Sequence, residues 1–248
     1  EGRPDCPRRC SEMINELLEC AGIPRTTAVG LRSGEHIMLI ADLMAESGVQ
    51  FGTSGARGLA EQMTDAVCYA YTLGFLQYLE ARGDLAADGE VGIAGDFRRS
   101  TPRIMTACAR AVSDFGRRPL NFGRIPSPAL AAYGIAQRMP TLMVTGSHIP
   151  DDRNGIKFNL SAGEILKRDE QGIREQDVAL PRALLDASGR FVGSADSRLP
   201  AEELAAFDAY VRRYLDFFPP GCLAGVRIGS YEHSSVLREA FYRVLTGL

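Results

Sequence analysis

The sequence predicts an α/β layered domain, and three observations carry that prediction. Short apolar strands alternate with amphipathic helices from Phe51 to Val144. The loops where strands run into helices are rich in Gly, Ser, Thr and Arg, as ligand-binding loops of open α/β sheets are. Of the 248 residues, 45% are hydrophobic and 24% charged, an ordinary balance for a globular chain.

Residues 1–48 read as irregular, with Asp5-Cys6-Pro7, Gly22-Ile23-Pro24 and Arg32-Ser33-Gly34 breaking short helical patches, and no function attaches to them. Thr64 opens a helix carrying Val67, Ala70, Tyr71, Leu73, Phe75 and Leu79 that Gly83 ends. Val91 to Ala94 is a strand ending at Gly95-Asp96, and Ser100 or Thr101 caps the next helix with Pro102 in its first turn. Leu120 to Phe122 is a strand, Ser127-Pro128 starts a helix, and Thr141 to Val144 is a further strand. A polar stretch near Gly189 to Ser197 reads as a linker. Beyond it, Pro200 to Phe218 and Ser234 to Leu245 read as helices, with Leu223 to Ile228 as the first strand of a second domain. No internal repeat is visible.

The net charge of -3, from 28 basic and 31 acidic residues, argues against a general nucleic-acid binder. Apolar stretches such as Thr141 to Val144 and Phe217 to Pro220 are too short to cross a bilayer. Residues 1–20 carry acids, prolines and arginines where a secretory leader would be apolar. Six scattered cysteines read as free thiols in the cytoplasm. The Cys6/Cys10 spacing suits a metal pair with Cys20 as a third ligand, but no histidine completes the set, so a loose N-terminal segment is the reading. The chain opens on Glu1 and stops three residues after a helical pattern, which leads us to expect a processed or incomplete sequence.

Three loops carry chemistry. Thr145-Gly146-Ser147-His148-Ile149-Pro150 follows directly on a strand and runs through Arg153-Asn154-Gly155-Ile156-Lys157. Gly146 permits close approach of a ligand, and Ser147 offers a hydroxyl with His148 beside it. Arg153 and Lys157 bring positive charge suited to a phosphate of about -2. Asn154-Gly155 reads as a turn that brings Lys157 back to face the serine. The plain alternative makes Ser147 a turn cap and His148 a space-filler, and the Gly-x-Ser-x-Gly spacing of a hydrolase elbow is absent. Gly52-Thr53-Ser54-Gly55-Ala56-Arg57-Gly58 supplies backbone N–H groups, hydroxyls and a guanidinium to an anion, or is a flexible turn. Gly95-Asp96-Phe97-Arg98-Arg99 adds two guanidiniums, or is a salt-bridged turn.

Together with Pro126-Ser127-Pro128-Ala129-Leu130, these segments, taken in their order along the chain from Gly52 through Gly95 and Pro126 to Ser147, resemble the α-D-phosphohexomutase superfamily over roughly residues 49–190. Val226 to Leu248 resembles the opening of that family's second domain. The resemblance implies a three-layer α/β/α domain with a mixed sheet, followed by the start of a second similar α/β domain. The expected organisation is therefore an N-terminal extension of unknown role over 1–48, a phosphoserine domain over 49–195, and the beginning of a second domain over 200–248. It also implies that Ser147 is the phosphoserine, that Arg57 and Lys157 are the basic groups around the transfer, and that His148 belongs to the serine loop. Thr53, Ser54, Arg98 and Asn154 are implied as substrate or phosphate contacts. Mg2+ is the implied cofactor, with Ser147 a ligand through its phosphate.

Ser147-His148-Ile149-Pro150 replaces the family's common Ser-His-Asn-Pro, and with Gly146 in front it looks most like bacterial phosphomannomutases. The implied reaction interconverts mannose 6-phosphate and mannose 1-phosphate through a hexose 1,6-bisphosphate. Phosphoglucomutase or phosphoglucosamine mutase of the same family, and a catalytically inactive fragment, are the alternatives. The family's Asp-Gly-Asp-Gly-Asp-Arg metal loop, its sugar-selecting loop and its phosphate-gripping fourth domain do not occur before Leu248. The chain by itself is therefore expected to be inactive.

Overall fold

Val91-Gly92-Ile93-Ala94 and Thr141-Leu142-Met143-Val144 are apolar on both faces, the pattern of strands covered by a layer on each side. In the computed structural model, which describes residues 35–53, 55–192 and 199–248, these two strands lie side by side. The strands are β1 (Glu35–Leu39), β2 (Gln50–Phe51), β3 (Gly55–Leu59), β4 (Glu90–Gly95), β5 (Arg118–Arg124), β6 (Thr141–Val144), β7 (Arg153–Leu160), β8 (Gly163–Glu164) and β9 (Asp177–Pro181). The helices are α1 (Ile40–Ser47), α2 (Asp65–Ala81), α3 (Thr101–Asp114), α4 (Ser127–Gln137), α5 (Lys167–Arg174), α6 (Ala205–Phe217) and α7 (Arg238–Gly247).

The main sheet has the order β2-β3-β7-β6-β4-β5, with β8 added to β7. β4 pairs parallel with β5 and β6, whereas β7 runs antiparallel to β3, β6 and β8. The sheet is therefore mixed. Alternation along each strand divides the core between its two faces. Ile93, Leu142, Val144, Ile156 and Phe158 join α1, α2 and α3 on one face. Ala94, Phe122 and Met143 join α4, α6 and α7 on the other. This is the expected three-layer α/β/α architecture.

Thr64 caps α2, its Oγ1 accepting from the Val67 N–H at 3.3 Å. The expected hydroxyl cap of α3 does not form. Ser100 is already helical in backbone, and Thr101 spends its hydroxyl on Asp96 at 2.6 Å.

The irregular reading of residues 1–48 needs correction over 35–47. β1 pairs antiparallel with β9 from Glu35↔Pro181 to Leu39↔Asp177, and α1 buries Ile40 and Leu43 against α2. Short elements of this kind carry weak periodicity, so their stability comes from packing. The Cys6, Cys10 and Cys20 reading lies outside the described residues.

The expected strand at 223–228 is also absent. Val226 and Ile228 are exposed and no strand pairs there among the described residues, so nothing satisfies a ladder of backbone groups. α6 and α7 do form, and they bury Ala206, Phe207, Val211, Ala240 and Val244 in the second core cluster. Of the expected linker, Gly189 and Phe191 dock on α2. The Gly189 carbonyl accepts from Ala66 N–H at 2.9 Å, and Phe191 N–H donates to the Asp65 carboxylate at 3.0 Å. Residues 193–198 lie outside the described set.

Candidate active site

β6 ends at Val144 beside β4, and the chain turns through eight residues before returning as β7. That connection is the serine loop. Ser147 is exposed at its tip and takes a left-handed backbone conformation, φ 53°, which a non-glycine L-residue adopts only when its surroundings impose it. The Ser147 N–H donates to Thr145 Oγ1 at 2.9 Å. His148 approaches Ser147 Oγ only loosely, at 3.4 Å through Nδ1.

The cations reach the serine through sheet register. Gly55 stands opposite Lys157 and Arg57 opposite Gly155, so Arg57 and Lys157 project from adjacent antiparallel strands onto one face. Gly55 is needed for this approach, since a Cβ there would lie 2.0 Å from the Ile156 carbonyl oxygen. The result is a cleft of about 190 Å³ lined by Thr53, Arg57, Ser147, His148, Lys157 and Glu164. Neither Arg57 nor Lys157 has an ion-pair partner among the described residues. Two such cations beside an exposed hydroxyl can offset much of the charge of a phosphate monoester. Next to Arg57, Lys167 Nζ donates to the Gly52 carbonyl at 3.0 Å and pairs with the buried Glu170, which holds the loop ahead of β3 against α5.

Two expected site residues are placed differently from their sequence reading, and one falls outside the described set. Asn154-Gly155 is not a turn; both residues lie within β7, and the tight turn falls earlier, where Arg153 N–H donates to the Pro150 carbonyl at 3.1 Å. Asn154 is completely buried. Its Nδ2 donates to Ser100 Oγ at 2.8 Å and Thr101 Oγ1 at 3.0 Å, so its amide ties β7 to the start of α3 and is not offered to the cleft. Arg98 is likewise engaged by protein. It donates to the carbonyls of Ile149, Pro150 and Arg153 at 2.6, 2.7 and 3.0 Å, and to none of the cleft. Arg153 is exposed and lends its carbonyl to that set. Ser54 lies outside the described residues.

Three residues were missed. Glu164 brings a carboxylate to the cleft from β8, where it pairs with Asn159. Thr145 and Asp96 hold the serine loop from behind, and the signal for both was present: each flanks a glycine directly after a strand. Among the described residues no three His, Cys, Asp or Glu side chains gather as a metal site, so they do not by themselves fit a magnesium ion.

Residues 48–178 match the family model for domain I, the alpha/beta/alpha domain, of phosphoglucomutase/phosphomannomutase. The chain belongs to this family. It is 42% identical over 201 residues to a phosphomannomutase of Sinorhizobium fredii, covering 81% of this chain and 41% of the relative. It is 40% identical over 200 residues to a phosphomannomutase of Salmonella muenchen, covering 81% and 39%. The chain thus spans about two fifths of the length of these curated relatives. A crystal structure of a phosphoglucomutase/phosphomannomutase family protein from Burkholderia thailandensis shares the fold, with a TM-score of 0.55 and 21% identity over 77% of this chain and 41% of that one.

Proposed function

We propose that this chain is the phosphoserine-bearing part of a phosphomannomutase, and that Ser147 carries the phosphoryl group. The observation that carries the reading is Ser147 itself, an exposed hydroxyl held in a strained left-handed conformation at the rim of a cleft with two cations that have no ion-pair partner among the described residues. Both relatives described above are phosphomannomutases, which favours mannose phosphates among the hexose phosphates.

In the forward half-reaction the phosphorus leaves Ser147 Oγ and bonds to a free hydroxyl oxygen of the sugar phosphate. That hydroxyl's proton passes to a base, and Ser147 Oγ takes up a proton as it is released. The product is a hexose 1,6-bisphosphate, and the reverse sequence on its other phosphate returns the phosphoryl group to Ser147. Arg57 and Lys157 stabilise the charge on the transferring group from fixed strand positions, at no cost in reorganisation. Lys157 and His148, which line the same cleft, are the candidates to exchange the proton with Ser147 Oγ. Magnesium, as the family's cofactor, would neutralise further charge, and Ser147 through its phosphate would be the residue of this chain that holds it.

The test uses the complete gene product that contains this chain, with mannose 1-phosphate as substrate. Ser147→Ala should remove the added phosphate seen by intact-mass measurement and lower kcat by orders of magnitude. A variant that still carries the phosphate and still turns over would assign the carrier to another residue.

A further inference from the structure

The cations of the serine loop divide into two sets. Arg57 and Lys157 face the cleft without ion-pair partners among the described residues, while Arg98 has three of its five N–H donors in hydrogen bonds, two on Nη1 to the carbonyls of Pro150 and Arg153 and one on Nη2 to the carbonyl of Ile149, with Nε beside the Asp96 carboxylate at 3.4 Å. The guanidinium also lies flat against Gly146, where a Cβ would come within 2.1 Å of Nε. Asp96 is equally saturated. Its Oδ1 accepts from Arg98 N–H at 3.0 Å and Thr101 Oγ1 at 2.6 Å, and its Oδ2 from Thr145 Oγ1 at 3.0 Å and Gly146 N–H at 3.1 Å. Thr145 Oγ1 in turn accepts the Ser147 N–H, so a continuous relay runs from Asp96 to the backbone of the reactive serine. Both side chains are mostly buried, 16% exposed for Asp96 and 12% for Arg98.

We propose that Asp96 and Arg98 are positioning residues that hold Ser147 in its left-handed conformation and aim its hydroxyl at the cleft, and that Arg98 makes no contact with substrate phosphate. The proposal rests on the reading of Ser147 as phosphoryl carrier. Asp96 grips the loop on its N-terminal side, at Thr145 and Gly146; Arg98 grips it on the C-terminal side, at Ile149, Pro150 and Arg153. Between these grips lies Ser147, whose strained φ has no glycine to relieve it. Loosening either grip lets Ser147 relax to an ordinary conformation and turns Oγ away from the line of transfer, and a displacement of about 1 Å in such a group can cost on the order of 100-fold in rate. Substrate affinity stays, because Arg57 and Lys157 are held by the β3–β7 register at positions that neither Asp96 nor Arg98 grips.

The experiment is steady-state kinetics with mannose 1-phosphate on Arg98→Lys and Asp96→Asn in the complete gene product, together with amide hydrogen exchange. The expected result is kcat lowered on the order of 100-fold with KM within about twofold, because the lost interaction belongs to orientation and not to ground-state binding. Amides of residues 145–153 should exchange faster while those of β4 keep their protection. Thr145→Val, which breaks only the relay to Ser147, is the second variant should the other two fail to fold, and it too should lower kcat and spare KM. A raised KM with kcat retained would make Arg98 a phosphate contact and overturn the proposal, as would loop exchange unchanged from wild type or a loosened loop with wild-type kcat. If Ser147→Ala keeps its phosphate and turnover, the carrier reading fails first and the proposal falls with it.

Discussion

Replacing Asn154 by alanine separates the two roles open to that residue. The side chain is completely buried and makes three hydrogen bonds: to Ser100 Oγ at 2.8 Å, to Thr101 Oγ1 at 3.0 Å, and from the Gly155 N–H to Oδ1 at 2.8 Å. At about 1 kcal/mol net for each bond, Asn154→Ala should cost about 3 kcal/mol. For a domain of this size each kcal/mol lowers Tm by about 2–4 °C, so a fall of roughly 6–12 °C is expected. Thermal unfolding followed by circular dichroism measures it on the chain as it stands. The same substitution in the complete gene product should leave KM for mannose 1-phosphate within about twofold, since the amide does not reach the cleft. A Tm within about 2 °C of wild type combined with a KM raised tenfold or more would show that Asn154 contacts substrate and that the buried geometry misplaces it.

Two further outcomes follow from the packing. Gly55→Ala would place a methyl 2.0 Å from the Ile156 carbonyl oxygen and 2.7 Å from Lys157 Cα, so β3 must part from β7; overpacking of this kind costs about 1–3 kcal/mol, and denaturant unfolding should show a loss in that range, with no change in midpoint as the contrary result. The buried Asp169 supplies the pH test: burial pushes its carboxyl up, but the Leu166 N–H, the Tyr78 hydroxyl and the charges of Arg82 and Arg168 outweigh this and hold it below its ordinary value. A carboxyl depressed in the folded state contributes stability that is fully present above the unfolded value near 4 and is lost as pH falls through the lower folded one. Urea midpoints measured down to about pH 2.5 should therefore fall less steeply in Asp169→Asn than in wild type, and equal slopes would remove Asp169 from the acid response.

The layers of the fold were legible because β4, β6 and α2 to α4 carry long or doubly apolar patterns that agree with local propensity. Asn154-Gly155 misled because a turn-forming pair says nothing about tertiary partners, and here two hydroxyls at the start of α3 hold Asn154 within a strand. α1 was hidden because only Ile40 and Leu43 mark its buried side over eight residues. At the site, the serine and its neighbouring cations could be read from the loops, but their division could not. Arg57 and Arg98 each lie in a glycine-bearing segment, and only the tertiary contacts show one facing the cleft and the other spent on main-chain carbonyls. Charge count alone cannot make that distinction, since both guanidiniums contribute equally to it.

The hairpin formed by β6 and β7 gives the site an order of assembly. Ser147 and Lys157 belong to one short excursion of chain, and a loop of about ten residues closes within about 10–100 ns. Arg98 reaches the same excursion from 51 to 55 residues earlier in the sequence, and only once β4 has docked parallel to β6. Ser147 and Lys157 are thus brought together by local closure, while the hold of Arg98 on their loop waits on a distant contact. A chain caught between these events has the β6–β7 hairpin in place but lacks the Arg98 contacts that close on its loop.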